Sequence, residues 1–75
     1  MEDTNQRQRR EILEYLQQGN KLTTLYAREV MGIMHPGGRV LELRKQGYNI
    51  VTYRRPGADI AGSKHSIAEY VLMTG

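Results

Sequence analysis

The chain has no cysteine, no tryptophan and no phenylalanine, and it carries only two prolines and two histidines. Without cysteine there is no disulfide and no thiolate to hold a metal, which fits a reducing compartment such as the cytoplasm. Two histidines without cysteine or a spaced acidic cluster do not make a zinc site. Long apolar runs are missing as well: the stretch from Tyr70 to Met73 is far short of the roughly 20 residues that span a bilayer. The N-terminus is polar rather than signal-like, so the expectation is a soluble cytoplasmic protein with no membrane role. Catalytic signatures are lacking too. His35, Asp59, Ser63, His65 and Ser66 are nominal catalytic groups, but no glycine-bounded nucleophile motif surrounds them. Gly37-Gly38 and Pro56-Gly57 lack the lysine and the strand-to-helix setting of a phosphate loop. The sequence therefore points away from an enzyme, a cofactor or a small-molecule substrate.

What is present is enough for one domain over residues 1–75, without internal duplication, its first six residues expected to fray. A core this small typically yields about 3–5 kcal/mol of net stability, so regular helices, their caps and any dimer interface are expected to carry a large share. The net charge of +3 is unevenly spread. Up to His35, the cations Arg7, Arg9, Arg10, Lys21 and Arg28 are matched by Glu2, Asp3, Glu11, Glu14 and Glu29. Beyond it, Arg39, Arg44, Lys45, Arg54, Arg55 and Lys64 face only Glu42, Asp59 and Glu69, so the second half holds the whole excess. A one-sided basic surface attracts polyanions.

Helical periodicity places a first helix over Asn5–Gln18, with Asp3 or Thr4 as cap, Ile12, Leu13 and Leu16 on the apolar face, Arg9 one turn earlier on that face, and Gly19-Asn20 as stop. Leu22 is expected in a brief edge strand or as a hydrophobic staple. Thr23 or Thr24 caps a second helix through Met31, its stripe formed by Tyr26, Ala27, Val30 and Met31, and Gly32 ends it. A third helix opens at His35-Pro36, where proline is tolerated, and runs to Gln46 before Gly47. Val40 and Leu43 define its buried side, with Leu41 at the edge of the same face. The period then becomes alternating: Tyr48, Ile50 and Thr52 against Asn49, Val51 and Tyr53 make a strand. Arg54 to His65, rich in glycine and proline, reads as a loop of about 12 residues, and Ser66–Met73 as the returning strand.

Three helices followed by a two-stranded β-hairpin form an α+β arrangement in which a short glycine-containing turn joins helices two and three. In such a layout the third helix is expected to be offered to the major groove of double-stranded DNA, with its N-terminal residues nearest the bases. On the wheel, Gly38, Glu42 and Lys45 lie opposite Val40 and Leu43, with Arg39 on the flank; with His35 they are the candidate groove contacts, Arg39 foremost. Arg54, Arg55, Lys64 and His65 stand at the shoulders of the hairpin loop, where cations suit phosphate or minor-groove contacts, and Tyr53 lies beside them. Arg44 reads as a structural cation favoured by the helix C-terminus. Arg7, Arg9 and Arg10 read as a solvated face, Arg10 pairing with Glu14. The five tyrosines are the only aromatics, and most are expected to pack with their hydroxyls toward solvent.

The run LTTLYAREVMGI followed by GGRVLELRKQGYNIVTY resembles the small winged helix-turn-helix DNA-binding domains common in bacteriophages and prophages. Its most specific part is Arg39-Val40-x-Glu42-Leu43-Arg44-x-x-Gly47-Tyr48-x-Ile50-x-Thr52, a helix that stops on glycine and passes straight into a strand. The resemblance implies a winged-helix fold and DNA binding, as in a transcriptional regulator or accessory factor. Two features depart from it: the third helix opens with His-Pro-Gly-Gly where relatives offer larger side chains, and the hairpin loop is long and glycine-rich. A protein-interaction module is the alternative, because fold alone does not fix function; Leu25, Met34 and Ile60 are its only hints. A homodimer placing two third helices roughly 34 Å apart is also left open.

Overall fold

The computed structural model describes residues 3–58 and 64–73, and the backbone alone for 55–58 and 64–66. Helix α1 (Thr4–Gln17) is followed by strand β1 (Leu22–Thr23), helix α2 (Thr24–Glu29), helix α3 (Pro36–Lys45), strand β2 (Ile50–Ala58) and strand β3 (Lys64–Leu72). Helical geometry already begins at Thr4, so the stretch expected to fray contains a capped first turn. The Asp3 carboxylate accepts from the Gln6 amide at 2.6 Å, satisfying one of the donors that a helix start leaves without a partner. At the other end Asn20 Nδ2 donates to the Tyr15 carbonyl at 3.2 Å.

Thr23 caps α2, its hydroxyl accepting from the Tyr26 amide at 3.0 Å. The helix stops at Glu29, short of the expected Met31. Val30 is consequently exposed rather than part of the buried stripe. The chain instead folds back through a bond from the Ile33 amide to the Ala27 carbonyl (2.8 Å), and Ile33, fully buried, is the next core residue. Arg28 Nε clasps this turn by donating to the Met34 carbonyl at 3.1 Å.

Pro36 occupies the first turn of α3 and is itself buried, so Pro36, Val40 and Leu43 form the inward row. The end of α3 is fixed by two bonds, Gly47 amide to Arg44 carbonyl (3.0 Å) and Tyr48 amide to Leu43 carbonyl (3.2 Å). This pair is the Schellman arrangement, which needs a left-handed residue; Gly47 supplies it at φ +106°. The chain leaves directly into β2.

The sheet has three strands in the order β1-β3-β2, all antiparallel. Leu22, Tyr70 and Thr52 form one cross-strand row and Thr23, Glu69 and Tyr53 the next. The brief edge strand expected at Leu22 is thus real, and it ties the first half of the chain to the last strand. The hairpin differs from expectation. Its strands continue through the presumed loop, pairing Arg54 with Ala68, Arg55 with Ile67, Pro56 with Ser66, Gly57 with His65 and Ala58 with Lys64. Pro56 was read as a loop signal, yet β2 is an edge strand, where a proline is compatible with pairing on one side only. The connection shrinks to residues 59–63, which lie outside the described residues together with Ile60 and the expected loop tip.

Ile12 and Leu16 from α1, Leu22, Ala27, Ile33, Val40, Leu43, Ile50, Ala68 and Tyr70 make one core between the helices and one face of the sheet. Tyr15 and Tyr26 stack on its margin with ring centroids 4.9 Å apart. Loss of hydration and then the neighbouring Tyr26 phenol push the Tyr15 hydroxyl above its ordinary pKa.

Candidate nucleic-acid interface

The inward row of α3 determines what the rest of the helix presents. Residues two and five positions beyond Pro36 project away from the core, so Gly38 and Leu41 share the outward face with Lys45. Leu41 is 50% exposed, which corrects its placement at the edge of the buried side. Val40 and Leu43 alone left that choice open; the buried Pro36 settles it. Gly38 is exposed, and a Cβ built there would meet no described residue within 4 Å. Packing does not demand a glycine at that position. His35 precedes the helix as an exposed cap residue whose side chain makes no capping bond.

The polar residues of α3 are largely engaged by the protein itself. Glu42 Oε1 accepts from Arg9 Nη1 of α1 at 3.1 Å. The same oxygen lies 2.7 Å from Arg39 Nε, a charge contact whose N–H is not aligned for a hydrogen bond. One carboxylate therefore serves two guanidiniums, and the Arg39 side chain is only 18% exposed. Glu42, expected opposite the core, instead leans over the seam between α1 and α3. On the other flank Arg44 reaches the sheet: its Nε donates to the Ile50 carbonyl at 2.7 Å and its Nη2 to the Thr52 hydroxyl. The structural reading of Arg44 holds, through these bonds rather than through the helix terminus alone. Lys45 is exposed.

On the hairpin, Tyr53 is 46% exposed and Arg54 is exposed beside it. Arg55, Lys64 and His65 are placed by backbone pairing alone, their side chains lying outside the described ones. The register brings Arg54 and Arg55 onto one strand and Lys64 and His65 onto its partner, so the four expected cationic or ionisable positions occupy one hairpin. Among the described residues no group of three or more histidines, cysteines or carboxylates is arranged to hold a metal, and no helix is long and apolar enough to cross a membrane.

The profile of the winged helix-turn-helix domain family matches residues 7–75, nearly the whole chain. The chain belongs to that family. No curated protein and no solved structure gives a significant match. Within the winged helix-turn-helix, α2 and α3 make up the helix-turn-helix, α3 stands where domains of this fold carry their recognition helix, and β2 and β3 form the wing. Of the sequence candidates, the fold gathers His35, Gly38 and Lys45 on or beside the outward side of α3. It places Tyr53 and Arg54 on the wing and draws Arg39 and Glu42 into the α1 seam. Two participants were not legible as such. Arg9 was assigned to a solvated face with Arg7 and Arg10; those two do form exposed i,i+4 pairs with Glu11 and Glu14, but Arg9 is the anchor of Glu42. Its position on the apolar face of the first helix was the one available signal. Leu41 was missed because its wheel position is ambiguous without Pro36.

Proposed function

We propose that this chain is a double-stranded DNA-binding domain whose recognition helix enters the major groove while the wing contacts backbone or minor groove. The observation that supports it best is the family match over residues 7–75 together with a cationic wing on which Arg54 is exposed. Helix-turn-helix units present their second helix to the groove, and phosphate contacts supply most of the sequence-independent affinity. The biological reading that goes with it is a cytoplasmic transcriptional regulator or accessory DNA-binding factor of phage or prophage. A second reading, a protein-docking module, draws on the exposed Leu25, Val30, Met34 and Leu41.

Fluorescence anisotropy of a labelled random-sequence duplex at two salt concentrations separates them. Wild type is expected to bind, with affinity falling steeply as salt rises, and the Arg54→Ala/Arg55→Ala double variant to bind weakly with a shallower salt slope. Folded wild type that binds no duplex at low salt would rule the DNA reading out and leave the docking reading.

A further inference from the structure

We propose that Leu41 reads thymine, through apolar contact with the C5-methyl groups that A·T pairs display in the major groove. The inference rests on the DNA-binding reading and deepens it by naming the base feature recognised. Base edges offer donors, acceptors and the thymine methyl. In most recognition helices polar side chains match the first two. Here Arg39 and Glu42 are bound to one another and Glu42 to Arg9, while Arg44 is spent on Ile50 and Thr52. The middle of the outward face belongs to Leu41, half exposed.

Gly38, one turn before Leu41, gives the same face its shape. No described residue occupies the space where its side chain would be, so packing against them does not require this surface to be flat. A helix without a side chain there can settle deep in a groove, which carries Leu41 to the base edges. Once there, an apolar side chain gains from a methyl group and loses against polar edges that it desolvates without pairing. The methyl is the one feature of the major groove that rewards it, and a buried methyl corresponds to about a fourfold change in affinity.

The test begins by enriching bound sequences from a random duplex pool with the whole chain, then amplifying the enriched pool with either thymidine or deoxyuridine triphosphate. Uracil pairs as thymine does and lacks only the methyl. Wild type is expected to bind the uracil form about fourfold more weakly for each methyl contacted. Leu41→Ala, an exposed substitution, is expected to bind both forms equally and at the level of wild type on uracil DNA. Equal binding of both forms by wild type, with steep salt dependence retained, overturns the methyl reading and leaves DNA binding standing. The same holds if Leu41→Ala keeps the wild-type preference, or if no sequences are enriched although duplex is bound. Folded wild type that binds neither form at low salt overturns both readings, and the exposed leucine then points to a protein partner.

Discussion

Helix α3 and strand β2 each carry two arginines, and the fold uses them in opposite ways. Arg39 is held over Glu42 in the seam with α1, and Arg44 bridges the helix end to the first wing strand. On β2, the Arg54 side chain is exposed and makes no hydrogen bond or ion pair with any described residue. The difference teaches that an excess of cations in one half of a chain overstates the charge offered to a ligand. The two guanidiniums of α3 hold that helix against α1 and the sheet, whereas Arg54 on the wing leaves its charge exposed.

The largest effect expected concerns the two leucines of α3, which lie on its opposite sides. Leu43→Ala should lose about 2–5 kcal/mol, comparable with the whole stability of a domain this small, while Leu41→Ala should stay within about 0.5 kcal/mol. Denaturant unfolding followed by circular dichroism measures both, and similar losses would break the assignment of inward and outward faces. The arginine contrast is tested next. Arg44→Ala is expected to cost about 1–2 kcal/mol with little change in the salt slope of DNA binding. Arg54→Ala should leave stability within about 0.5 kcal/mol and lower the slope by about 0.9. If the two exchange behaviours, the division between helix and wing is wrong.

A smaller effect sharpens the same contrast from the acidic side. Glu42→Gln removes the carboxylate shared by Arg9 and Arg39, and its partly exposed pairs should contribute less than about 1 kcal/mol. Duplex affinity at low salt should rise, because two guanidiniums lose their internal counter-charge; anisotropy reads the change. The smallest effect is a pH dependence. The Tyr15 hydroxyl titrates above its ordinary value of 10.0 in the folded chain, so the unfolded chain gives up that proton first. Its contribution to stability is fully present below about pH 10 and is lost as pH rises through the folded value. Urea midpoints of wild type and Tyr15→Phe should run parallel from neutral pH to about 9, and above about pH 10 the wild-type midpoint should fall relative to that of the variant.

Local signals made most of the fold legible. The caps were readable to within one residue, as Asp3 or Thr4 and Thr23 or Thr24, because a short side-chain acceptor before an amphipathic run has few other uses, and Gly47 was readable as a stop because glycine best tolerates the left-handed turn found there. Tertiary arrangements were less so. Pro56 and Gly57 signal a loop locally, but pairing with Ser66 and His65 along a sheet edge overrides that preference. The Arg9–Glu42 pair joins residues far apart in sequence, and neither position announces the other. Of the site, the elements that carry it were legible, whereas the engagement of Arg39 and the exposure of Leu41 depend on how α1 and Pro36 fix the rotation of α3.

The pairing of Leu22 with Tyr70 has a bearing on how the molecule assembles. The strand between the first two helices is closed by the strand at the far end of the chain, so the sheet is complete only after nearly all of the polypeptide is available. The entropy of closing so long a loop is recovered only when both partners are in place. The helices and the wing are consequently expected to fold as a single cooperative unit, because β3 packs against α1 and α2 as well as closing the sheet.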